Sequence, residues 1–224
     1  MGIINKVKTL GKVRTLGFGF VFETVFERIV PAWMFRYCSL EVYQMDLDKL
    51  PNDPFSTAAV KICDSAQELE QLAEITSEYT QQQAPIGVLA KMDGQVAGGV
   101  WMAVGDYQDR DLGLSFLVGR EGTWLYSARI DAGYRRQGIY SHLMAASAQS
   151  RTNAGHAAPF FGVSKLNRGS HRAIQGFGKL VGQVLVIRLG SMVWTRTKGD
   201  LKQKQTLTLR CTRRPIQFSV SEIS

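Results

Sequence analysis

Hydrophobic residues along this chain keep two rhythms, and the alternation between them outlines the fold. After Ser65, the positions Leu69, Leu72, Ala73 and Ile75 repeat at helical spacing. Ser65 with Glu68 three residues on forms a capping box, so the pattern predicts a helix to about Thr80. Strand-like runs bracket it. TAAVKIC (57–63) predicts a strand. GVLAKMDGQVAGGVWMAV (87–104) predicts a hairpin on Asp93-Gly94, a pair suited to a tight turn in which both central residues need positive φ. LSFLVG (114–119), TWLYSARI (123–130), the fully apolar FFGVS (160–164) and VLVIRL (184–189) predict further strands. Helices are expected over 141–150, with Leu143 and Met144 on the apolar face, and over 170–175. SMVWTRT and QTLTLRC predict a two-stranded, half-exposed ending. The order of elements is that of an α/β chain with a mixed sheet.

The first 53 residues follow a different pattern. Lys6, Lys8, Lys12 and Arg14 are interleaved with apolar residues, an apolar run from Phe18 to Val30 is closed by Pro31, and Val21, Val25, Ile29 and Trp33 recur at helical spacing. A basic amphipathic opening of this kind can lie on an anionic membrane surface, or it can dock on the protein's own body or on a second subunit of a homodimer. Glu23 and Glu27 inside the apolar run argue against a secretory signal, and no apolar run reaches the length of a membrane span. PNDP (51–54) marks a linker. The expected organisation is a helical extension over 1–53, a core over 54–190 and a β extension over 191–224.

Composition adds the compartment and the charge. With 45% hydrophobic and 21% charged residues, 224 residues suffice for one full-sized globular domain. Cys38, Cys63 and Cys211 are odd in number and lack metal-ligand spacing, which points to reduced thiols in a cytoplasmic setting with no zinc site. The N-terminal segment leaves peripheral contact with the inner face of the membrane open. The net charge of +8 is unevenly spread: residues 151–224 carry 13 Lys/Arg against 2 Asp/Glu, whereas residues 41–150 carry 8 against 15. Such a basic third attracts an anion. Nucleic acid is one class, and a phosphate-bearing small molecule is the class favoured by the turn described next.

RIDAGYRRQGIYSHLM (129–144) joins a predicted strand to a predicted helix through a cationic turn containing little bulk. The start of a helix leaves backbone N–H groups unpaired, and the helix dipole adds positive potential, so phosphate is readily bound there. Gly138 removes the side chain that would hold an oxygen off the main chain, while Arg135 and Arg136 add charge. A basic, solvated helix start is the competing reading. The nucleotide-triphosphate pattern G-x-x-x-x-G-K-S/T and the dinucleotide pattern G-x-G-x-x-G are both absent.

IDAGYRRQGIYSHLM resembles the acetyl-CoA signature of the GNAT-type N-acetyltransferases, V-x-P-x-x-R/Q-x-x-G-x-G/A. Ile130, Arg135 and Gly138 fill its valine, arginine and glycine places, while Ala132 stands for the proline and Tyr140 for the last small residue. A residue as bulky as Tyr140 is expected to turn outward. FFGVSKLNRGSHRAI resembles the family's second motif, with Asn167 and Ser170 at a helix start. The resemblance spans about residues 55–190. It implies a mixed, mostly antiparallel sheet flanked by helices, with two parallel central strands (123–130 and 160–164) splayed apart. It further implies acetyl-CoA as acyl donor: the pantetheine arm on the main chain of Ala128, Arg129 and Ile130, the pyrophosphate on Arg136, Gln137, Gly138, Ile139, Tyr140 and Ser141 with Arg135 beside it, and Asn167 and Ser170 on the opposite side. The acceptor it implies is an amine, most simply of a small molecule; an N-terminal extension lying on a membrane would point instead to an envelope precursor, and the cysteine spacing leaves no metal expected.

An amine nucleophile must lose a proton, at a cost of about 4.6 kcal/mol for a lysine-like amine at pH 7. In several members of the family a Glu on the second-motif strand assists, and a Tyr seven residues after the Asn protonates the departing thiolate. Gly162 and Ile174 hold those positions here, and neither can move a proton. His171 lies near the expected site but reads more readily as a solvated capping residue; His142 reads as surface and Tyr126 as core. Asp106, Asp109 and Asp111 cluster in a loop that either covers an acceptor cleft or is simply solvated, and Ser164 could anchor a water chain. No catalytic residue is assigned on this basis. Three functions stay open: a CoA-dependent N-acyltransferase, a catalytically silent CoA-binding protein of the same fold, and a membrane-associated or nucleic-acid-binding module.

Overall fold

The computed structural model describes residues 35–50, 59–77, 86–109, 112–190, 192–203 and 216–220. The amphipathic opening, PNDP, Asp111, Cys211 and QTLTLRC lie outside the described residues. The strands are β1 (Phe35–Met45), β2 (Ala59–Ile62), β3 (Ile86–Met92), β4 (Gln95–Val104), β5 (Tyr107–Asp109), β6 (Leu114–Leu117), β7 (Thr123–Ile130), β8 (Phe160–Ser164), β9 (Gly178–Leu189), β10 (Met192–Gly199), β11 (Leu201–Gln203) and β12 (Ile216–Val220). Among the described residues, three α-helices accompany them: α1 (Ala66–Thr76), α2 (Ile139–Asn153) and α3 (Arg168–Ile174).

Eight strands form one sheet in the order β10-β9-β1-β8-β7-β4-β3-β2, and β11-β12-β6-β5 form a second. All pairings in the large sheet are antiparallel except that of β7 with β8. The mixed, mostly antiparallel sheet flanked by helices is as the sequence implies. The hairpin turn is also as expected, with Asp93 at φ 51° and Gly94 at φ 78°. Ser65 caps α1 by accepting from the Glu68 N–H at 3.3 Å, and the helix ends at Ser77 in the left-handed region.

One segment departs from the expected layout. Residues 35–45, assigned to a helical extension, form β1, a strand in the interior of the sheet between β8 and β9. The reason lies in its alternation. Cys38, Leu40 and Val42 bury themselves on one face, while Glu41 and Tyr43 point to the other and are half-buried there.

The two faces of the sheet carry separate cores. Leu40, Val42, Leu72, Trp101, Trp124 and Tyr126 pack with the β5–β6 aromatics on one side. Val88, Val100, Leu125, Leu143, Met144, Phe161 and Ile174 pack beneath α2 and α3 on the other. At about 25 cal/mol per Å² of apolar area removed from water, these two layers are the main driving force for the fold. The sheet between them is what positions the site.

Candidate functional site

The parallel pair β7–β8 is hydrogen-bonded over a very short length. Only Trp124↔Phe160 and Leu125↔Phe161 are in register. Beyond them β7 continues through Tyr126 to Ile130 against β4 alone, and β8 continues through Gly162 to Ser164 against β1 alone. The two strands therefore part, and the edges facing the gap keep main-chain groups without a strand partner.

A bulge produces the divergence. On the β4 side, Gly99 faces Arg129 and Trp101 faces Tyr126, so Ser127 and Ala128 together oppose Val100. Ser127 takes up the surplus residue at φ 51°, an unusual conformation for a side-chain-bearing residue. Two residues against one bend β7 and turn main-chain groups out of the ladder. Gly98 lets the end of β7 come close, since an added Cβ would lie 2.7 Å from the Arg129 carbonyl oxygen. Arg129 is further tied to the C-terminal end of α1, donating from Nη1 to Ser77 Oγ at 2.7 Å.

The turn after β7 is ordered by its own polar groups. Asp131 donates its N–H to the Ala97 carbonyl and accepts from the Gly133 N–H at 2.9 Å, closing a 3-10 turn over Ala132–Tyr134. That cap fixes the backbone where the family signature uses proline, so Ala132 suffices. Arg135 is extended and donates from Nε to the Ile130 carbonyl at 3.2 Å, which folds its guanidinium back over the strand end. Arg136 at φ 65° and Gly138 at φ 78° are both left-handed, and Gly138 is the cap of α2 with no side-chain bond closing the helix start. Four N–H groups at a helix start have no intrahelical partner. Here they emerge beside two exposed guanidiniums, while Ile139 anchors the first turn in the core.

The predicted residues accordingly gather at one place. Ala128, Arg129 and Ile130 line the end of β7; Arg135, Arg136, Gln137 and Gly138 form the exposed turn; Ile139, Tyr140 and Ser141 begin α2. Asn167 lies past the end of β8, where its Oδ1 accepts from the Ser170 N–H at 3.0 Å and caps α3. Only the amide NH2 of Asn167 is then free to donate outward. Tyr140 corrects an expectation. It is half-buried against the α2 face of the core, and burial pushes its phenol up to about 12, so its bulk is taken inward and leaves the helix start open.

The acid–base candidates are also resolved in place. An added Cβ at Gly162 would meet Leu40 at 2.9 Å, so this position looks into the packed core rather than into the gap. Ile174 is buried. Asp109 accepts from the Leu112 N–H and Asp106 from the Gly119 N–H, which makes both loop-closing residues. His171, by contrast, is more than a capping residue. Its Nε2 lies 3.1 Å from the Ser164 carbonyl, and its Nδ1 lies 3.3 Å from Tyr43 Oη and 3.6 Å from Glu41 Oε2. Tyr43 donates to Glu41 Oε2 at 2.6 Å, and Gln183 donates to Glu41 Oε1 at 2.9 Å. Burial, then the neighbouring carboxylate, hold the Tyr43 phenol well above its ordinary value. Sequence reasoning missed Glu41 and Tyr43, although a charged residue inside an alternating apolar run was a visible signal.

Among the described residues no cluster of His, Cys, Asp and Glu could hold a metal ion, and no helix is long and apolar enough to cross a membrane. The family model described as "Acetyltransferase (GNAT) family" matches residues 46–178. The chain belongs to the GNAT acetyltransferase family. The solved structures similar to this GNAT chain are distant in sequence. A functionally unknown conserved protein from Staphylococcus epidermidis is 11% identical over 74% of this chain and 66% of that one, with a TM-score of 0.50. A GNAT-family protein from Novosphingobium aromaticivorans is 14% identical over 67% and 63%, with a TM-score of 0.48. An aminoglycoside acetyltransferase from an uncultured soil metagenomic sample is 14% identical over 55% and 88%, with a TM-score of 0.42. This chain thus spans less than two thirds of either of the first two. No curated protein matches it.

Proposed function

We propose that this GNAT protein is an acyl-CoA-dependent N-acyltransferase that moves acetyl from acetyl-CoA to a primary amine of a small molecule. The observation that carries the reading is the confinement of β7–β8 pairing to two residue pairs, directly beside an uncapped helix start at Gly138. A thioester-bearing arm can add to the open edge of β7 at Ala128, Arg129 and Ile130 as a strand would. The diphosphate then meets the N–H groups from Arg136 to Ser141 and the guanidiniums of Arg135 and Arg136. Each hydrogen bond to a charged oxygen contributes roughly 1.5–3 kcal/mol, so three or four hold the cofactor firmly. Asn167 donates to the arm from the β8 side, with Ser170 fixing its orientation.

The bound thioester supplies an activated carbonyl carbon at the gap, and the chain's part is to place that carbon and handle protons. A catalytically silent CoA-binding protein is the second reading, favoured by Gly162 and Ile174 where the family places its acid and base. One experiment separates them. Calorimetry with acetyl-CoA reads the site, and free-thiol release in the presence of a panel of aminoglycosides, polyamines and amino sugars reads the chemistry. Heat with no thiol release on any amine leaves the silent reading; no heat at all removes both.

A further inference from the structure

We propose that Glu41, Tyr43 and His171 form a proton-holding network in which His171 is the acid that protonates the departing CoA thiolate. This rests on the acetyl-transfer reading above and supplies the group that Ile174 cannot.

The argument is a count of hydrogens. Three contacts in the network each need one: Tyr43 Oη to Glu41 Oε2 at 2.6 Å, His171 Nδ1 to Tyr43 Oη at 3.3 Å, and His171 Nε2 to the Ser164 carbonyl at 3.1 Å. The Ser164 carbonyl only accepts, so Nε2 carries a hydrogen. A phenol has one, and the short contact commits it to Glu41. A bare Nδ1 would then direct its lone pair at two oxygens, Tyr43 Oη and Glu41 Oε2 at 3.6 Å. All three contacts carry a hydrogen when the three side chains together hold one proton more than a neutral imidazole, a phenol and a carboxylate supply, and that is the state proposed for the network. Glu41 compensates that charge while accepting from Tyr43 and from Gln183. The groups facing His171 are thus Glu41 and Tyr43 from β1, the neutral Ser164 carbonyl from β8, and beyond them the neutral Gln183 of β9; Arg168 and Arg172 on its own helix are exposed.

Placement makes the proton useful. The Nε2 hydrogen lies against Ser164, the last residue of β8, which forms one wall of the gap. Amine attack on the thioester carbonyl forms the C–N bond and makes the nitrogen cationic. As the C–S bond breaks, its electron pair stays on sulfur, and the Nε2 proton moves to that sulfur. The proton lost by the amine nitrogen restores the ring, so the network ends as it began. Glu41 and Tyr43 are positioning residues that keep the second ring proton in place.

The test uses full-length protein labelled with nitrogen-15 at histidine, in which His171→Gln assigns the signal. A network that holds its extra proton gives two ring N–H signals on His171. Glu41→Gln is expected to leave one, and CoA to shift the Nε2 signal. With an amine accepted in the thiol-release panel, His171→Gln lowers kcat about a hundredfold or more. KM for acetyl-CoA stays within twofold, and Tyr43→Phe falls in between. A single ring N–H in the wild type, or no response to CoA while calorimetry reports binding, overturns the network and leaves the site standing. No heat with CoA overturns the site itself. Equal kcat in His171→Gln and wild type overturns the acid role even if both ring protons are seen.

Discussion

The two edges of β8 are opposite in character. Along β1 the strand is paired over its whole length, from Gln44↔Phe160 to Leu40↔Ser164. Along β7 the pairing stops after Phe161. The same five residues thus serve as an interior strand on one side and as a wall on the other. The paired edge is held by side chains, with Leu40 filling the space above Gly162 and Tyr43 stacked on Phe161 at 5.6 Å. The open edge is maintained by backbone conformation at Ser127, Arg136 and Gly138. Packing makes the first edge rigid, and positive-φ residues keep the second available.

The largest expected effect comes from closing the open edge. Gly138→Trp places an indole over the helix start and puts a β-carbon into a left-handed conformation, which costs about 1–2 kcal/mol. Acetyl-CoA affinity is expected to fall at least a hundredfold by calorimetry, because several charge-assisted hydrogen bonds go together. The melting temperature moves by a few degrees only, since the Gly138 position is exposed. Unchanged affinity in that variant would place the diphosphate elsewhere.

The paired edge should respond in the opposite sense. Leu40→Ala removes buried packing beside Gly162 and is expected to cost about 2–3 kcal/mol of folding stability in urea. Affinity for acetyl-CoA, measured below the unfolding transition, stays within twofold. A large loss of affinity with little loss of stability would mean that β1 shapes the gap, and the contrast between the two edges would fail.

The open edge was more legible in the sequence than the paired one, for a physical reason. Positive φ and backbone exposure demand particular residues, so Gly138 and the arginines beside it identify themselves. The bulge is harder to see, because Ser127 carries no mark of its left-handed conformation, and only the register of Gly99 with Arg129 and of Trp101 with Tyr126 reveals the extra residue. Insertion of β1 between β8 and β9 depends on pairing across more than a hundred residues, and no local pattern encodes a partner at that separation. Glu41, Tyr43 and His171 meet only because of that insertion. In the sequence Gly162 stands only where the family places its base; its packing against Leu40 depends on β1 lying beside β8.

Tyr140 provides the finest probe of the comparison, since it belongs to the open edge yet points into the core. Burial raises its phenol to about 12 from an ordinary 10, so the folded protein favours the protonated ring more than the unfolded chain does. The stability tied to that preference is fully present below pH 10 and is lost as the pH rises from 10 toward 12. Tyr140→Phe should flatten that part of the alkaline stability curve and remove one late component from the ultraviolet titration of the seven tyrosines. Affinity for acetyl-CoA at pH 7.5 is expected to be unchanged, because the ring packs against the core rather than over the helix start. If the variant instead loses affinity while its alkaline curve matches wild type, Tyr140 faces the gap, and the open edge has a side-chain component after all.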